Sequence, residues 1–235
     1  MIFIHQGKPS IFIHIPKTGG NTIQKTLFDK NLSLDTILVK EKQDGIDRFE
    51  VRGKYTKTKH MRLRDYYKNN LLRNYLTFVC VRQPLHRLVS FYFSPHRHVR
   101  LDPSTKKFIF PKEVKLDIDK FEDIVNNRPS CLQTLSLNSQ LSLPSKIRSK
   151  IVNRFFPKYR YKSFLRQHDH IPINLKILRT ENLNKDCEKI LGIKLNKSRN
   201  ISPYGKEAKN AIENKKIISI IENSHHQEDQ LFFYG

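Results

Sequence analysis

Residues 11–28 read IFIHIPKTGGNTIQKTLF, and this stretch decides the fold because it joins a strand, a loop and a helix. The apolar run Ile11–Ile15 predicts a short buried strand. Pro16 ends that strand, since proline has no amide to donate to a sheet. The Gly19–Gly20 pair then permits a tight turn. Beyond the pair, apolar residues recur at helical spacing, at Ile23, Leu27 and Phe28.

The loop of this unit is a predicted phosphate site. Free amides and the positive end of a helix dipole converge where the helix begins, and Lys17 and Thr18 add a cation and a hydroxyl. An ordinary strand–helix connection has the same outline, so this loop alone leaves both interpretations open. The P-loop of nucleotide kinases fits poorly, because its lysine follows glycines in G-x-x-x-x-G-K-[ST]. Here no glycine lies between Gly7 and Lys17.

A second strand–loop–helix unit spans residues 76–93, LTFVCVRQPLHRLVSFYF. Phe78–Val81 is an apolar strand core, and Pro84 suits the first turn of a helix. Arg82 lies at the end of the strand, and Ser90 lies eight residues later in the helix. A guanidinium donates two parallel hydrogen bonds to phosphate oxygens, and a hydroxyl adds a neutral donor. This unit is therefore a second predicted phosphate site.

Both units resemble one known family. The loop HIPKTGGNT resembles the 5′-phosphosulfate loop of sulfotransferases that use 3′-phosphoadenosine 5′-phosphosulfate (PAPS), above all that of carbohydrate sulfotransferases, which usually reads PKTGGTS. Asn21 and Thr22 stand here where that family has Thr and Ser. The run from Arg82 to Ser90 resembles the R-x-P-x-x-R-x-x-S site of the same family, where the first arginine and the serine hold the 3′-phosphate. Two motifs in family order make coincidence an unlikely explanation.

The resemblance implies a set of site residues. Lys17 would stabilise the oxygen that leaves sulfur, and His60, which precedes a predicted helix, would be the general base. The nucleotide would be held by the following residues: Lys17, Thr18, Gly19, Gly20, Asn21, Thr22, Arg82, Ser90, Ser198 and Arg199. Ser198 and Arg199 belong to a loop that closes over the nucleotide in related enzymes. The cosubstrate would be PAPS, the product 3′,5′-ADP, and no metal is expected.

Later segments extend the resemblance more weakly. Residues 179–183 match the family's R-x-E-x-L segment, residues 196–198 its N-x-S turn, and Asp229–Gly235 its closing segment. The apolar spacing predicts one helix over His60–Leu72 and another over Glu207–Glu222. Alternating strands and helices predict an α/β fold: a P-loop-like three-layer sandwich with a central, mainly parallel sheet flanked by helices. Residues 1–235 are predicted to form a single sulfotransferase domain.

Composition sets the class of partner. The 235 residues carry 44 Lys+Arg and 22 Asp+Glu, a net charge of +22, so an anionic partner is expected. The three cysteines form no C-x-x-C pair, and no signal peptide or membrane-length apolar run is evident, which predicts a cytoplasmic protein. The resemblance adds that it is a compact bacterial relative. Contact with an anionic membrane surface stays open.

The function predicted is transfer of a sulfuryl group from PAPS to an acceptor hydroxyl. The resemblance favours a glycan acceptor; the basic stretch after His96 favours an acidic chain, and a tyrosine in an acidic peptide is a further alternative. Competing functions are a nucleotide-binding relative without transfer activity, a nucleotide kinase and a basic nucleic-acid-binding protein. No zinc-finger, RRM or KH signature supports the last, so specific nucleic-acid binding is not expected.

Overall fold

A computed structural model gives the fold. It describes residues 1–39, 49–98, 100–104, 108–137, 174–195 and 204–235. The strands are β1 (Ile2–His5), β2 (Lys8–Ile13), β3 (Thr36–Val39), β4 (Phe49–Arg52), β5 (Leu76–Val81), β6 (Arg100–Leu101), β7 (Phe108–Ile109) and β8 (Leu175–Arg179). The α-helices are α1 (Gly20–Asp29), α2 (Leu63–Tyr66), α3 (Pro84–Tyr92), α4 (Ile118–Asn127), α5 (Cys131–Leu135), α6 (Leu183–Asp186), α7 (Gly205–Ile212), α8 (Lys215–Glu222) and α9 (Gln227–Tyr234).

A four-stranded sheet with the order β1-β2-β5-β8 lies at the centre. β1 pairs with β2 in the antiparallel sense, whereas β2–β5 and β5–β8 are parallel. In the register of the parallel strands, Ile13 lies opposite Val79, and Val79 lies opposite Ile177. The carboxyl ends of these three strands therefore meet at one edge of the sheet, where ligands of open α/β sheets bind. The predicted α/β fold with a mainly parallel sheet is confirmed.

Helices cover both faces of this sheet, as the alternation of side chains along each strand requires. In β5, Phe78 and Cys80 face a cluster that contains Leu27 of α1, while Val79 and Val81 face the opposite side. The first cluster also includes residues of the chain after β8: Cys187, Leu191 and Ile193. The second includes residues of α2, α5 and α9: Leu63, Tyr66, Cys131, Leu132, Leu135 and Phe233. The result is the predicted three-layer arrangement.

The remaining elements lie around this core. β3 pairs with β4, and β6 with β7, in two separate antiparallel ribbons. A third apolar cluster joins α3, α4, α7 and α8; its members include Leu88, Tyr92, Phe121, Val125, Ala211, Ile217 and Ile221. Within the ranges described, no helix is long and apolar enough to cross a membrane.

Two helices differ from their predictions. The helix predicted over His60–Leu72 is broken: only α2 and a separate 3-10 turn at Asn70–Leu72 form. The Asn69 side chain accepts a hydrogen bond from the Leu71 amide and so starts that new turn, which is how asparagine competes with a continuing helix. The helix predicted over Glu207–Glu222 divides into α7 and α8, because the Asn214 side chain caps the amides of Lys216 and Ile217.

Candidate active site

The loop between β2 and α1 lies at the carboxyl edge of the sheet. Its backbone is unusual at two positions, since both Lys17 (φ 69°) and Gly19 (φ 82°) adopt the left-handed conformation. Glycine does so freely, but the conformation costs a lysine on the order of 1 kcal/mol and must be held by its surroundings. Inside the loop, the buried Thr18 hydroxyl donates to the Ile15 carbonyl at 2.8 Å. The loop is therefore a constrained turn, and Gly19 is the residue that caps α1.

The Thr18 carbonyl ties this loop to the two strands beside β2. It accepts hydrogen bonds from the Cys80 thiol of β5 at 2.7 Å and from the Thr180 hydroxyl, directly after β8, at 2.8 Å. The same Thr180 hydroxyl lies 2.9 Å from the Val81 carbonyl. The ends of all three parallel strands are thus connected through short contacts under the loop.

The two preceding carbonyls are also bound by side chains from below. The Pro16 carbonyl accepts from Arg87 Nε at 3.2 Å, and the Lys17 carbonyl accepts from Arg82 Nη1 at 3.5 Å. A trans peptide points its N–H opposite to the preceding carbonyl. The amides of residues 17–19 therefore point away from these donors, and the first turn of α1 adds amides that have no intrahelical acceptor. Such an arrangement presents a group of donors to an anion.

The Lys17 ammonium is fixed beside this group of amides. It donates to the buried Ser94 hydroxyl at 2.8 Å. Burial, together with the nearby charges of Arg82, Arg97 and Lys59, lowers the pKa of Lys17 to about 8. A cation held among other cations, largely out of water, is stabilised when an anion arrives.

Arg82 and Ser90 mark the second predicted phosphate site. Arg82 follows β5 and is half-buried, and burial lowers the pKa of its guanidinium while the carboxylate of Glu181 opposes that effect. Ser90 is half-buried in α3. Glu181 accepts from the Gln83 amide and from the Tyr234 hydroxyl, both at 2.9 Å. The carboxylate therefore occupies the first amide at the start of α3 and balances part of the charge of Arg82.

Two histidine rings lie together behind the loop. The His14 ring is buried, with Nδ1 2.7 Å from Gln24 Oε1, and its centroid is 4.5 Å from that of His60. His60 Nδ1 lies 3.3 Å from the His14 carbonyl. A carbonyl only accepts, so Nδ1 of His60 carries the proton and Nε2 keeps its lone pair. Desolvation on the packed side of the His60 ring lowers its pKa, and Lys59 lowers it further, so the neutral base is favoured near pH 7.

A comparison with known protein families identifies one family that resembles the N-terminal part of this chain. Residues 1–99 match the model of a sulfotransferase family. The match spans β1 to α3, so it includes both phosphate units and His60. It supports a transferase of the sulfotransferase kind, which takes its group from a sulfo-donor cosubstrate. No curated protein and no solved structure matches the chain.

The region that matches the family model contains most of the predicted site residues. The loop residues Lys17, Thr18, Gly19, Gly20, Asn21 and Thr22 form the turn and the first turn of α1. Arg82 contacts the Lys17 carbonyl, and His60 contacts the His14 carbonyl, three residues before Lys17. Ser198 and Arg199 lie outside the described residues. Among the residues that are described, no group of His, Cys, Asp or Glu could hold a metal ion.

Sequence reasoning missed three contacts of the candidate site. Ser94 was not among the predicted site residues, yet its hydroxyl holds Lys17. Ser94 lies beyond the end of α3, so no spacing within that helix indicates the position of its hydroxyl. Arg87 is turned beneath the loop, and Thr180 binds the Thr18 carbonyl; no local sequence pattern announces either contact.

Proposed function

We propose that this protein transfers a sulfuryl group from PAPS to an acceptor hydroxyl. The observation that carries the proposal is the loop itself: side chains bind the carbonyls of residues 16–18, so the amides of residues 17–19 point away from those side chains, and Ser94 holds the Lys17 ammonium. Such a site fits the 5′-phosphosulfate end of the nucleotide. Arg82 and Ser90 would hold the 3′-phosphate, and Ser198 with Arg199 would close over the nucleotide.

In the transfer, the acceptor oxygen attacks sulfur, and the bond between sulfur and the bridging oxygen breaks. By analogy with phosphoryl transfer, attack is in line and positioning dominates. Negative charge develops on the bridging oxygen, which stays with the 5′-phosphate of the product 3′,5′-ADP. The Lys17 ammonium and the loop amides stabilise that charge, and this preorganised stabilisation supplies the main electrostatic term.

His60 would accept the proton of the acceptor hydroxyl. Its Nε2 is the free nitrogen, because Nδ1 donates to the His14 carbonyl. The ring is exposed to solvent on its outer side, so an acceptor can reach it. Its lowered pKa keeps it unprotonated at neutral pH, which a general base requires.

The surroundings of Lys17 favour an anionic acceptor, and an acidic glycan fits best. Phe91 lies between two exposed guanidiniums, with Arg97 at 4.5 Å and Arg128 at 4.4 Å from the ring centroid. Arg97 also acts on the charge of Lys17, so this cationic surface adjoins the transfer site. An acidic glycan would meet two exposed positive charges there, which the Phe91 ring holds in place. A tyrosine in an acidic peptide has the same charge and is the second candidate acceptor.

We further propose that the chain acts in the cytoplasm as one domain. The support is its cysteine chemistry, since Cys80, Cys131 and Cys187 are all buried free thiols. Free thiols are typical of a reducing compartment.

The transfer is tested with 35S-labelled PAPS and panels of acidic glycans, neutral glycans and tyrosine peptides. We expect label in an acidic glycan, with activity lost in Lys17→Ala and kept in the exposed-lysine control Lys209→Ala. If 3′,5′-ADP binds but no acceptor is labelled in any panel or in cell extract, the alternative of a nucleotide-binding relative without transfer activity is correct.

A further inference from the structure

Arg87 is the largest fully buried side chain of the described structure, with 2% of its surface exposed. It lies on α3 beneath the phosphate loop. Its Nε donates to the Pro16 carbonyl at 3.2 Å, and its Nη2 donates to the Pro129 carbonyl, just before α5, at 3.0 Å. The guanidinium of Arg87 therefore joins the loop after β2 to the segment that leads into α5.

Burying this guanidinium lowers the free energy of unfolding. Arg87 Nη1 is buried without a hydrogen-bond partner, and no ion pair of Arg87 is found in the described part of the chain. The charge of Arg87 acts on the buried carboxylate of Asp229 and opposes the rise in its pKa that burial causes. The oxygens of that carboxylate, however, accept hydrogen bonds from the amides of Cys131 and Leu132 at 2.7 and 2.9 Å. Buried charges of opposite sign are often no better for stability than well-packed apolar side chains of similar volume. Stability alone therefore does not explain this arginine.

The contact with Pro16 acts on the backbone of Lys17. The peptide between Pro16 and Lys17 is planar, so the bond to the Pro16 carbonyl also sets the direction of the Lys17 amide. Lys17 adopts the left-handed conformation directly after this peptide. A non-glycine residue in that conformation relaxes unless its neighbours hold it. Arg87 is one of the groups that hold it.

We propose that Arg87 is a positioning residue for the 5′-phosphosulfate end of the site and not a ligand of the 3′-phosphate. It acts through the Pro16 carbonyl, and it keeps the Lys17 amide and ammonium aligned before the nucleotide arrives. The proposal rests on the proposed function, and it separates the two arginines of the R-x-P-x-x-R-x-x-S run: Arg82 serves one phosphate and Arg87 serves the loop for the other.

Nucleotides that lack one phosphate separate these roles. The variant is Arg87→Met, which keeps the length of the side chain and removes its donors; the control is Arg52→Met, an exposed arginine of β4. Calorimetry measures the affinities of 3′,5′-ADP, adenosine 5′-phosphate and adenosine 3′-phosphate. We expect Arg87→Met to lose about tenfold for the two nucleotides that carry a 5′-phosphate and nothing for adenosine 3′-phosphate, the scale of one hydrogen bond to a charged group. Arg82→Ala should lose affinity for adenosine 3′-phosphate instead.

A second measurement tests Arg87 even if the proposed function fails. Amide hydrogen exchange of residues 17–22 should become faster in Arg87→Met, while exchange in β2 and β5 stays unchanged. Arg87→Lys, which keeps the charge and loses the fork, covers the case in which Arg87→Met does not fold, and it should show the same change in weaker form. Unchanged loop exchange, or equal loss for all three nucleotides, overturns the role of Arg87. Wild-type protein that binds none of the three overturns the proposed function instead.

Discussion

Lys17 combines a left-handed backbone with an ammonium whose pKa burial lowers to about 8. The Lys17 side chain is fully protonated well below that pH, and it loses its charge as the pH rises through about 8. Because the 5′-phosphate binds the ammonium form, the affinity for 3′,5′-ADP should fall above about pH 8, with a limit of about tenfold per pH unit for one proton. Calorimetry across pH 6.5–10 (roughly the span around this pKa) measures the decline.

The matched variant is Lys17→Met, which should show a weaker affinity and no decline above about pH 8. Its kcat should be about 10²–10³ lower, the loss expected when one preorganised donor to a developing charge is removed. A decline that persists in Lys17→Met would assign the titration to another group.

Arg82 and Ser90 should contribute unequally to nucleotide binding. Arg82→Ala should weaken 3′,5′-ADP binding by about 2–5 kcal/mol, because a desolvated charge-assisted pair is lost. Ser90→Ala should cost about 1 kcal/mol, the scale of one neutral hydrogen bond. Calorimetry on both variants checks the order, and an unchanged affinity in Arg82→Ala removes the 3′-phosphate assignment.

His60 should give the transfer rate an acid limb. The group must be neutral to accept a proton, and its pKa is lowered from the usual 6.5, so the rate should fall only below that pH. His60→Ala should lose about 10²–10⁴ in kcat and keep its affinity for 3′,5′-ADP. His98→Ala is the control, since His98 Nε2 contacts the Tyr92 carbonyl instead. An acid limb that survives in His60→Ala moves the role of base to another histidine.

At the scale of the element, α1 can begin where it does only because residue 20 is glycine. A Cβ at Gly20 would overlap the buried His14 ring, lying 2.7 Å from Nε2. Gly20→Ala should therefore displace His14 or the helix start, at a cost of about 1–3 kcal/mol in the free energy of unfolding. Gly205→Ala, at the start of α7 with nothing within 4 Å of its Cβ position, is the control and should be neutral. Thermal unfolding of both variants tests this prediction. Equal stability of the two variants would show that the His14 ring moves aside at no cost in free energy.

Elements that one local pattern determines were predictable from the sequence. The β2 and β5 strands and the Pro84 start of α3 follow from apolar runs and from proline. The breaks inside the predicted helices over His60–Leu72 and Glu207–Glu222 were not predictable in this way, because single asparagine caps overrode the apolar spacing.

The site residues divide in the same way, into those that a local sequence pattern predicts and those that only tertiary contacts bring in. The loop and the Arg82 run were recognisable because their chemistry is contiguous in sequence. Ser94, Arg87 and Thr180 join it through contacts that span 77, 71 and 162 residues respectively, and no local pattern encodes such distances. What sequence reasoning lacked was the tertiary packing that turns Arg87 under the loop and places Ser94 against Lys17.

At the scale of the whole molecule, the net charge of +22 attracts every anion. Affinity for a nucleotide is therefore weak evidence for a built site unless charge is held constant. Exposed charges are also screened by salt, whereas Lys17 and Arg82 are partly shielded from it. Binding that depends on the arrangement of phosphates, and not on their number, is what distinguishes a two-phosphate site from a basic surface.

The most direct test compares 3′,5′-ADP with its equally charged isomer 2′,5′-ADP by calorimetry at physiological ionic strength. Both nucleotides have the same composition and differ only in where the second phosphate is attached. We expect 3′,5′-ADP to bind at least about 30-fold more tightly, since roughly 2 kcal/mol of charge-assisted contact to the 3′-phosphate is available to it alone. Equal affinity for the two isomers would contradict the account, because net charge would then explain all of the binding.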